Sequence, residues 1–216
     1  MTTAGLRERK KQRTRCALID SAFALFQRKG FEQTTVDEIA EAVDVSPRTF
    51  FRYFTSKEEV ALSLLDDQLG ALLTLVEQRP AEESVLTALR NAGMEVLRAC
   101  EAGENGFDPI QFQSMQLLMS SSPALTAHAM EQSAARLTDM ARVIGSRMGV
   151  DHRADPRPYL VASIALCTIQ TAVNAWRETE QDAKSSDLMD RAFRLLAEGI
   201  DYPSAPQATT CHIACQ

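Results

Sequence analysis

A chain of 216 residues, 45% hydrophobic and 24% charged, is long enough for one sizeable core, or for a large domain with a small appendage, and needs no covalent staples. Its five cysteines, Cys16, Cys100, Cys167, Cys211 and Cys215, are odd in number and scattered, which speaks against a disulfide framework and fits a reducing cytoplasm. The net charge of -6 excludes a uniformly basic partner-binding protein but divides unevenly: residues 1–59 hold eleven Lys or Arg against nine Asp or Glu, a net of +2, which leaves -8 for the rest.

LRERKKQRTR, from Leu6 to Arg15, sets six basic residues against Glu8 alone, and no apolar run follows it as a secretory leader would require. Such a density can meet phosphate, or it can be a solvated arm. The first helix is expected from about Lys10 to Arg28, with Ile19, Ala22, Phe23 and Phe26 as its apolar stripe and Gly30 as its stop. Thr35 and Glu38 form a capping box for a short second helix that turns Val36, Ile39, Ala40 and Val43 inward. Asp44 and Val45 break it, and Ser46 followed by Pro47 starts a third helix at once. Ser56 and Glu59 repeat the capping box for a fourth, running to about Glu77. Two short helices joined by a tight turn after a longer one is a helix-turn-helix arrangement.

The third helix, in SPRTFFRYF, carries the most chemistry. At about 100° per residue Phe50, Phe54 and Pro47 share one side, while Arg48 and Arg52 fall opposite with Thr49 and Phe51 at the flanks. A helix this short gains little from its own hydrogen bonds, so its aromatic side must anchor it and its basic side is presented. Arginine can bind guanine or phosphate in bidentate fashion, and a ring or Thr methyl can meet the methyl of thymine; a good bidentate contact discriminates by about 1–3 kcal/mol. The N–H groups near Thr34 and Thr35 and the ammonium of Lys57 suit phosphate. The competing reading, a helical domain with merely solvated arginines, leaves an exposed Phe51 and the basic arm without a use.

Apolar residues keep helical spacing through the remainder, and nowhere does period-2 alternation persist, so the chain reads as all-α. A fifth helix is expected over about Glu82 to Glu101, a sixth over Asp108 to Ser121, a seventh over Pro123 to Met148, an eighth over Pro158 to Thr179 and a ninth over Ser186 to Gly199. AGENGFDP between the fifth and sixth is a turn, since no strand precedes it and no GK follows to make a phosphate cradle. YLVASIALCTIQTAVNAW is too polar for a membrane span and reads as a largely buried helix, so no membrane partner is expected. Residues 203–216 lack periodicity and read as a disordered tail, in which Cys211, His212 and Cys215 are set aside as an incidental cluster; no metal or cofactor is expected.

The eighth and ninth helices are apolar on more faces than a monomer surface tolerates. Leu160, Ile164, Thr168 and Thr171 on one, with Leu188, Ala192, Leu195 and Leu196 on the other, are the expected interface with an identical subunit, the alternative being helices wholly inside one core. Met94, Leu97, Phe112, Met115, Met119, Met140, Ile144 and Trp176 are candidates for an apolar pocket, with Arg98, Gln116 and Asn174 as polar fixtures, although for any single one of them core packing is the stronger reading. Eight methionines would suit a deformable cavity. Catalysis is not expected: His128, His152 and His212 stand apart, and neither G-x-S-x-G nor H-E-x-x-H occurs. A helical protein-binding adaptor is the other alternative, and it would show no salt-dependent affinity for DNA.

Residues 6–65, through LRERKKQRTR, ALIDSAFALFQRKGFEQTTVDEIAEAVDVS and PRTFFRYFTSKEEV in that order, resemble the DNA-binding domain of the TetR family of transcriptional regulators. Within the family the likeness is to actinobacterial members with the signature SPRTFFRYFxSKE, such as the mycofactocin-associated regulator. The resemblance implies a TetR-like homodimer of about nine helices per chain, with residues 1–60 binding DNA, residues 61–202 binding an effector and the twin subunit, and a repressor's function. It implies base contacts from Arg48, Thr49, Phe51 and Arg52, and phosphate contacts from Thr35, Tyr53, Lys57 and the arm at Arg9, Lys10 and Arg13, to which the N–H groups at the start of the second helix add Thr34. It further implies a pseudo-palindromic double-stranded operator and release by a small apolar effector such as an acyl-CoA or fatty acid derivative. Pro47 stands where some members place a glutamine, which throws base specificity onto Arg48 and its neighbours.

Overall fold

The computed structural model describes residues 3–178 and 184–199; the tail over 203–216, with Cys211, His212 and Cys215, lies outside them. The described residues form ten helices: α1 (Thr3–Lys29), α2 (Val36–Glu41), α3 (Pro47–Phe50), α4 (Lys57–Gln78), α5 (Val85–Ala102), α6 (Pro109–Ser121), α7 (Pro123–Glu131), α8 (Ser133–Met148), α9 (Arg157–Glu178) and α10 (Ser185–Glu198).

Like charge does not keep the basic run from coiling. α1 begins well before the expected Lys10, and side chains back up its carbonyls: Arg9 Nε donates to Gly5 O at 3.2 Å and the Thr14 hydroxyl to Lys10 O at 3.0 Å. The helix ends where glycine allows it, Gly30 taking φ 88. Thr35 caps α2 in a complete capping box with Glu38. Asp44, at φ 54, makes the left-handed step of the turn into α3, a conformation that Asp tolerates better than most residues. α3 itself is a single turn; its hydrogen bonding continues irregularly through Tyr53 N to Phe50 O and Phe54 N to Phe50 O. At the head of α4 the expected second box is only half formed. Ser56 accepts from Glu59 N, but the Glu59 carboxylate goes to the N–H and hydroxyl of Thr55 instead.

Leu18, Phe23, Phe26, Phe31, Ile39, Phe50, Phe54 and Leu62 fill the core beneath these four helices, and Met115 of α6 and Leu125 of α7 complete it from the other side. The second core lies between α4, α5, α8, α9 and α10. Gly93 lets α10 approach α5 closely, since a Cβ there would stand 2.8 Å from the Met189 sulfur. Glu101 of α5 caps α10 by accepting from Ser185 Oγ, Ser186 N and Ser186 Oγ.

The expected seventh helix is two. α7 closes at Gln132, whose N–H bonds to His128 O, and α8 starts at Ser133. Arg136 reaches back across the break to Ala129 O and Gln132 Oε1, and Ser133 Oγ donates to Met130 O, so side chains satisfy groups that a continuous helix would have paired internally. α9 is long and apolar enough by composition to cross a membrane, yet it packs between α8 and α10 as part of the second core.

Candidate DNA-binding surface and effector cavity

The segment 46–54 behaves as a clamp. Ser46 caps it by accepting from Thr49 N, Phe50 and Phe54 are buried, and their rings sit 5.8 Å apart within a cluster that includes Phe26 and Phe31. With those rings inside, Arg48 and Arg52 are exposed and Phe51 keeps 56% of its surface in water, its ring edge against Phe50. Leaving that much aromatic surface wet stabilises nothing in the chain itself. Arg52 lies over the Tyr53 ring at 5.2 Å and donates to its hydroxyl, while Arg48 is exposed. Burial pushes the Tyr53 phenol up, but hydrogen bonds with Arg52 and Thr14 and the charges of Arg52 and Lys11 outweigh it and leave the phenol lowered. Tyr53 therefore joins the end of this segment to the basic run of α1, on which Arg9, Lys10 and Arg13 are exposed.

Two of the expected phosphate ligands are otherwise engaged. Thr34 is 1% exposed; its hydroxyl donates to Gly30 O at 2.8 Å and its N–H to Phe31 O. Lys57 places its ammonium on the carbonyls of Phe31, Glu32 and Thr34 at 2.9, 3.1 and 3.1 Å, 4.6 Å from the Phe31 ring centroid, and so latches the turn between α1 and α2. The N–H and hydroxyl of Thr35 are both taken by Glu38, although Thr35 stays exposed. No arrangement of Thr and Lys in the sequence distinguishes such internal caps from phosphate ligands.

In the larger core, a cavity of about 510 Å³ opens between α4, α5, α7 and α9, within the range of small-molecule sites. Leu97, Met119 and Asn174 of the expected pocket line it. The other candidates lie elsewhere. Met140 and Ile144 are wholly buried in core packing, Met115 sits in the core of the first four helices, and Arg98 faces solvent. Met94 is half-buried outside the lining, and Gln116, buried, offers the cavity region only its carbonyl, to Arg177. Phe112 and Trp176 stack on each other at 5.8 Å, with Phe112 on the wall of a separate cleft of about 850 Å³ between α1, α4, α5 and α6. Residues that the sequence reading missed, Gln68, Arg136, Gln170, Cys167 and Arg177, line the cavity as well. For Gln170, Asn174 and Arg177 a signal existed: spacing i, i+4, i+7 makes a polar stripe on an otherwise apolar helix.

Of the expected interface residues, Leu160, Thr171 and Leu195 are exposed, while Ile164, Thr168, Leu188, Ala192 and Leu196 are half-buried. Leu160, Ile164 and Thr171 on α9 and Leu188, Ala192 and Leu195 on α10 fall on single stripes by helical spacing. No group of metal-ligating side chains occurs among the described residues.

A clamped helix-turn-helix beside a hollow helical domain defines a DNA-binding transcriptional regulator with a ligand-binding module. Residues 18–64 match the family of bacterial regulatory proteins of the tetR type, and residues 83–201 match the MftR C-terminal domain. The chain belongs to the TetR family, whose members are regulators and not enzymes. It is 41% identical over 173 residues to the HTH-type transcriptional regulator TcmR of Streptomyces glaucescens, covering 80% of this chain and 76% of that protein. With the putative mycofactocin biosynthesis regulator MftR of Mycobacterium tuberculosis it shares 27% over 196 residues, covering 89% and 94%. The expected likeness to the mycofactocin regulator thus holds for the type of C-terminal domain, while overall identity is higher to TcmR. Among solved structures, FadR from Bacillus subtilis in complex with stearoyl-CoA has the same fold, with a TM-score of 0.55 at 22% identity, covering 86% of this chain and 98% of that one.

Proposed function

We propose that this chain is a homodimeric repressor that holds a pseudo-palindromic operator through residues 47–53 and leaves it when a small apolar effector, an acyl-CoA or fatty acid derivative, enters the cavity beside α9. The observation that carries the reading is the exposed Arg48, Phe51 and Arg52 on a segment pinned from behind by Phe50 and Phe54. Arg48, Thr49, Phe51 and Arg52 reach base edges; Arg9, Lys10, Arg13 and Tyr53 meet backbone phosphates. The Leu160 and Leu195 stripes join two copies, setting the recognition segments about 34–36 Å apart, one turn of duplex. An acyl effector is supported by the apolar cavity and by the stearoyl-CoA bound to the Bacillus subtilis relative of the same fold.

Selection of bound duplexes from a random pool, without effector and with stearate or stearoyl-CoA in separate arms, tests this. The expected result is a two-fold symmetric motif whose recovery falls in at least one of the two acyl arms. Recovery of unrelated sequences with no shared motif would overturn the operator reading.

A further inference from the structure

The wall of the 510 Å³ cavity contains two cations, Arg136 and Arg177, and no Asp or Glu. The two arginines are not equivalent. Arg136 is committed: it pairs with Asp66 at 3.0 Å and donates to Ala129 O and Gln132 Oε1. Arg177 is held by neutral acceptors only, the side-chain oxygen of Asn174 and the main-chain oxygen of Gln116 at 3.4 Å, and faces no carboxylate among the described residues. The same Asn174 oxygen accepts from the Gln170 amide at 2.8 Å, which leaves the Asn174 NH2 to donate elsewhere. A half-buried guanidinium on an apolar wall gains most from an anion brought to it, because charge-assisted bonds are about twice as strong as neutral ones.

We propose that Arg177, with the Asn174 amide beside it, anchors the carboxylate of an elongated apolar monoanion, and that this carboxylate draws the guanidinium away from Gln116 O. The proposal rests on the reading of the cavity as the effector site. Among acyl compounds it selects the free acid over the CoA ester. A thioester carbonyl brings no charge to Arg177, and no lysine lines the cavity to meet the phosphates of CoA. The contact with Gln116 matters because the preceding residue, Met115, is wholly buried in the core under the DNA-reading segment. Pulling Arg177 off that carbonyl therefore loosens α6 against the part of the molecule that holds the operator.

Binding is read by isothermal titration calorimetry, which needs no reporter in the cavity wall. The full chain is titrated with dodecanoate, with dodecanamide and with lauroyl-CoA, and release of labelled operator is followed in parallel. Wild type is expected to prefer the acid over the amide by roughly 10- to 100-fold. Arg177→Gln brings the acid down to the amide's affinity without changing the amide, Arg177→Lys retains part of the preference, and dodecanoate no longer releases the operator from Arg177→Gln at concentrations that empty wild type. Equal affinity for acid and amide in wild type, or binding of lauroyl-CoA alone, overturns the Arg177 anchor and leaves the cavity reading standing. If none of the three binds, the cavity reading itself falls and the anchor with it.

Discussion

Replacing Lys57 by Met removes the ammonium and keeps the stem, which tests whether this residue serves the fold or the DNA. In the folded chain the ammonium meets three carbonyls at 2.9–3.1 Å and the face of Phe31 at 4.6 Å. Hydrogen bonds to a charged group contribute about 1.5–3 kcal/mol each where water is excluded, but this site is half-buried and water reaches the vacated oxygens, so the total loss is about 2–3 kcal/mol. For a chain of this length that corresponds to a drop in Tm of roughly 5–10 °C. Operator binding, measured by fluorescence anisotropy over a salt series, should keep its slope of log affinity against log salt. A phosphate contact, by comparison, would flatten that slope by about 0.9 on removal. An unchanged urea midpoint together with a flatter salt slope would refute the latch and return Lys57 to the DNA.

The Lys29 ammonium hydrogen-bonded to Glu38, helped by Thr35, holds the Glu38 carboxyl down at about 2. A depressed carboxylate contributes stability above its ordinary value of 4.5 and loses it as pH falls toward 2, so Glu38→Gln should flatten the urea midpoint over that window while lowering it at pH 7. An undiminished acid dependence in the variant would remove Glu38 from that role. Leu160→Glu combined with Leu195→Glu places charge on both exposed stripes; sedimentation should show monomers and operator affinity should fall by at least tenfold, whereas a retained dimer would put the interface elsewhere. Burial pushes the Cys100 thiol up to about 12, and iodoacetamide at pH 8 should therefore label the exposed Cys16 and Cys167 but spare Cys100 until the chain is denatured; early Cys100 labelling would mean that the core around it opens readily.

What the sequence disclosed followed local rules. Gly30, Thr35 with Glu38, and Ser46 with Pro47 mark helix ends through contacts within a few residues, and the structure keeps all three. The burial of Phe50 and Phe54 against the exposure of Phe51 was also legible, because a helical period leaves little choice in a segment that must anchor itself. Long-range contacts were not legible. The split at Gln132 depends on Arg136 finding Ala129 O and Asp66 at once, and between Pro123 and Gly145 no Gly or Pro announces a break. Lys57 reaches 23 to 26 residues back along the chain, and a lysine at a helix start reads equally well as a cap or as a phosphate ligand. The pocket candidates failed in the same way: Met140 and Ile144 carry the same hydrophobic pattern as Leu97 and Met119, and only the packing of five helices decides which of them faces empty space.

The cavity and the DNA-reading core share a wall, and the sharing follows helical spacing. On α6, Met115 is buried in the reading core while Met119, one turn later, lines the cavity; on α7, Leu125 and Ala129 repeat the relation; on α4, Leu62 is in the core and Leu65 reaches the cavity. Met119, Ala129 and Leu65 also pack against the reading core, so a ligand that displaces them presses on the surface beneath Phe50 and Phe54. Close-packed helices respond to such pressure by shifting as bodies more than by compressing. Whatever free energy an effector spends in displacing this wall is, by linkage, the same free energy by which bound operator disfavours that effector. A ligand filling the cavity without moving α4, α6 or α7 would bind bound and unbound repressor alike and release nothing. In the proposed mechanism, the strength of induction is therefore set by how poorly the ligand fits the DNA-holding arrangement of these three helices, and not by how tightly it binds overall.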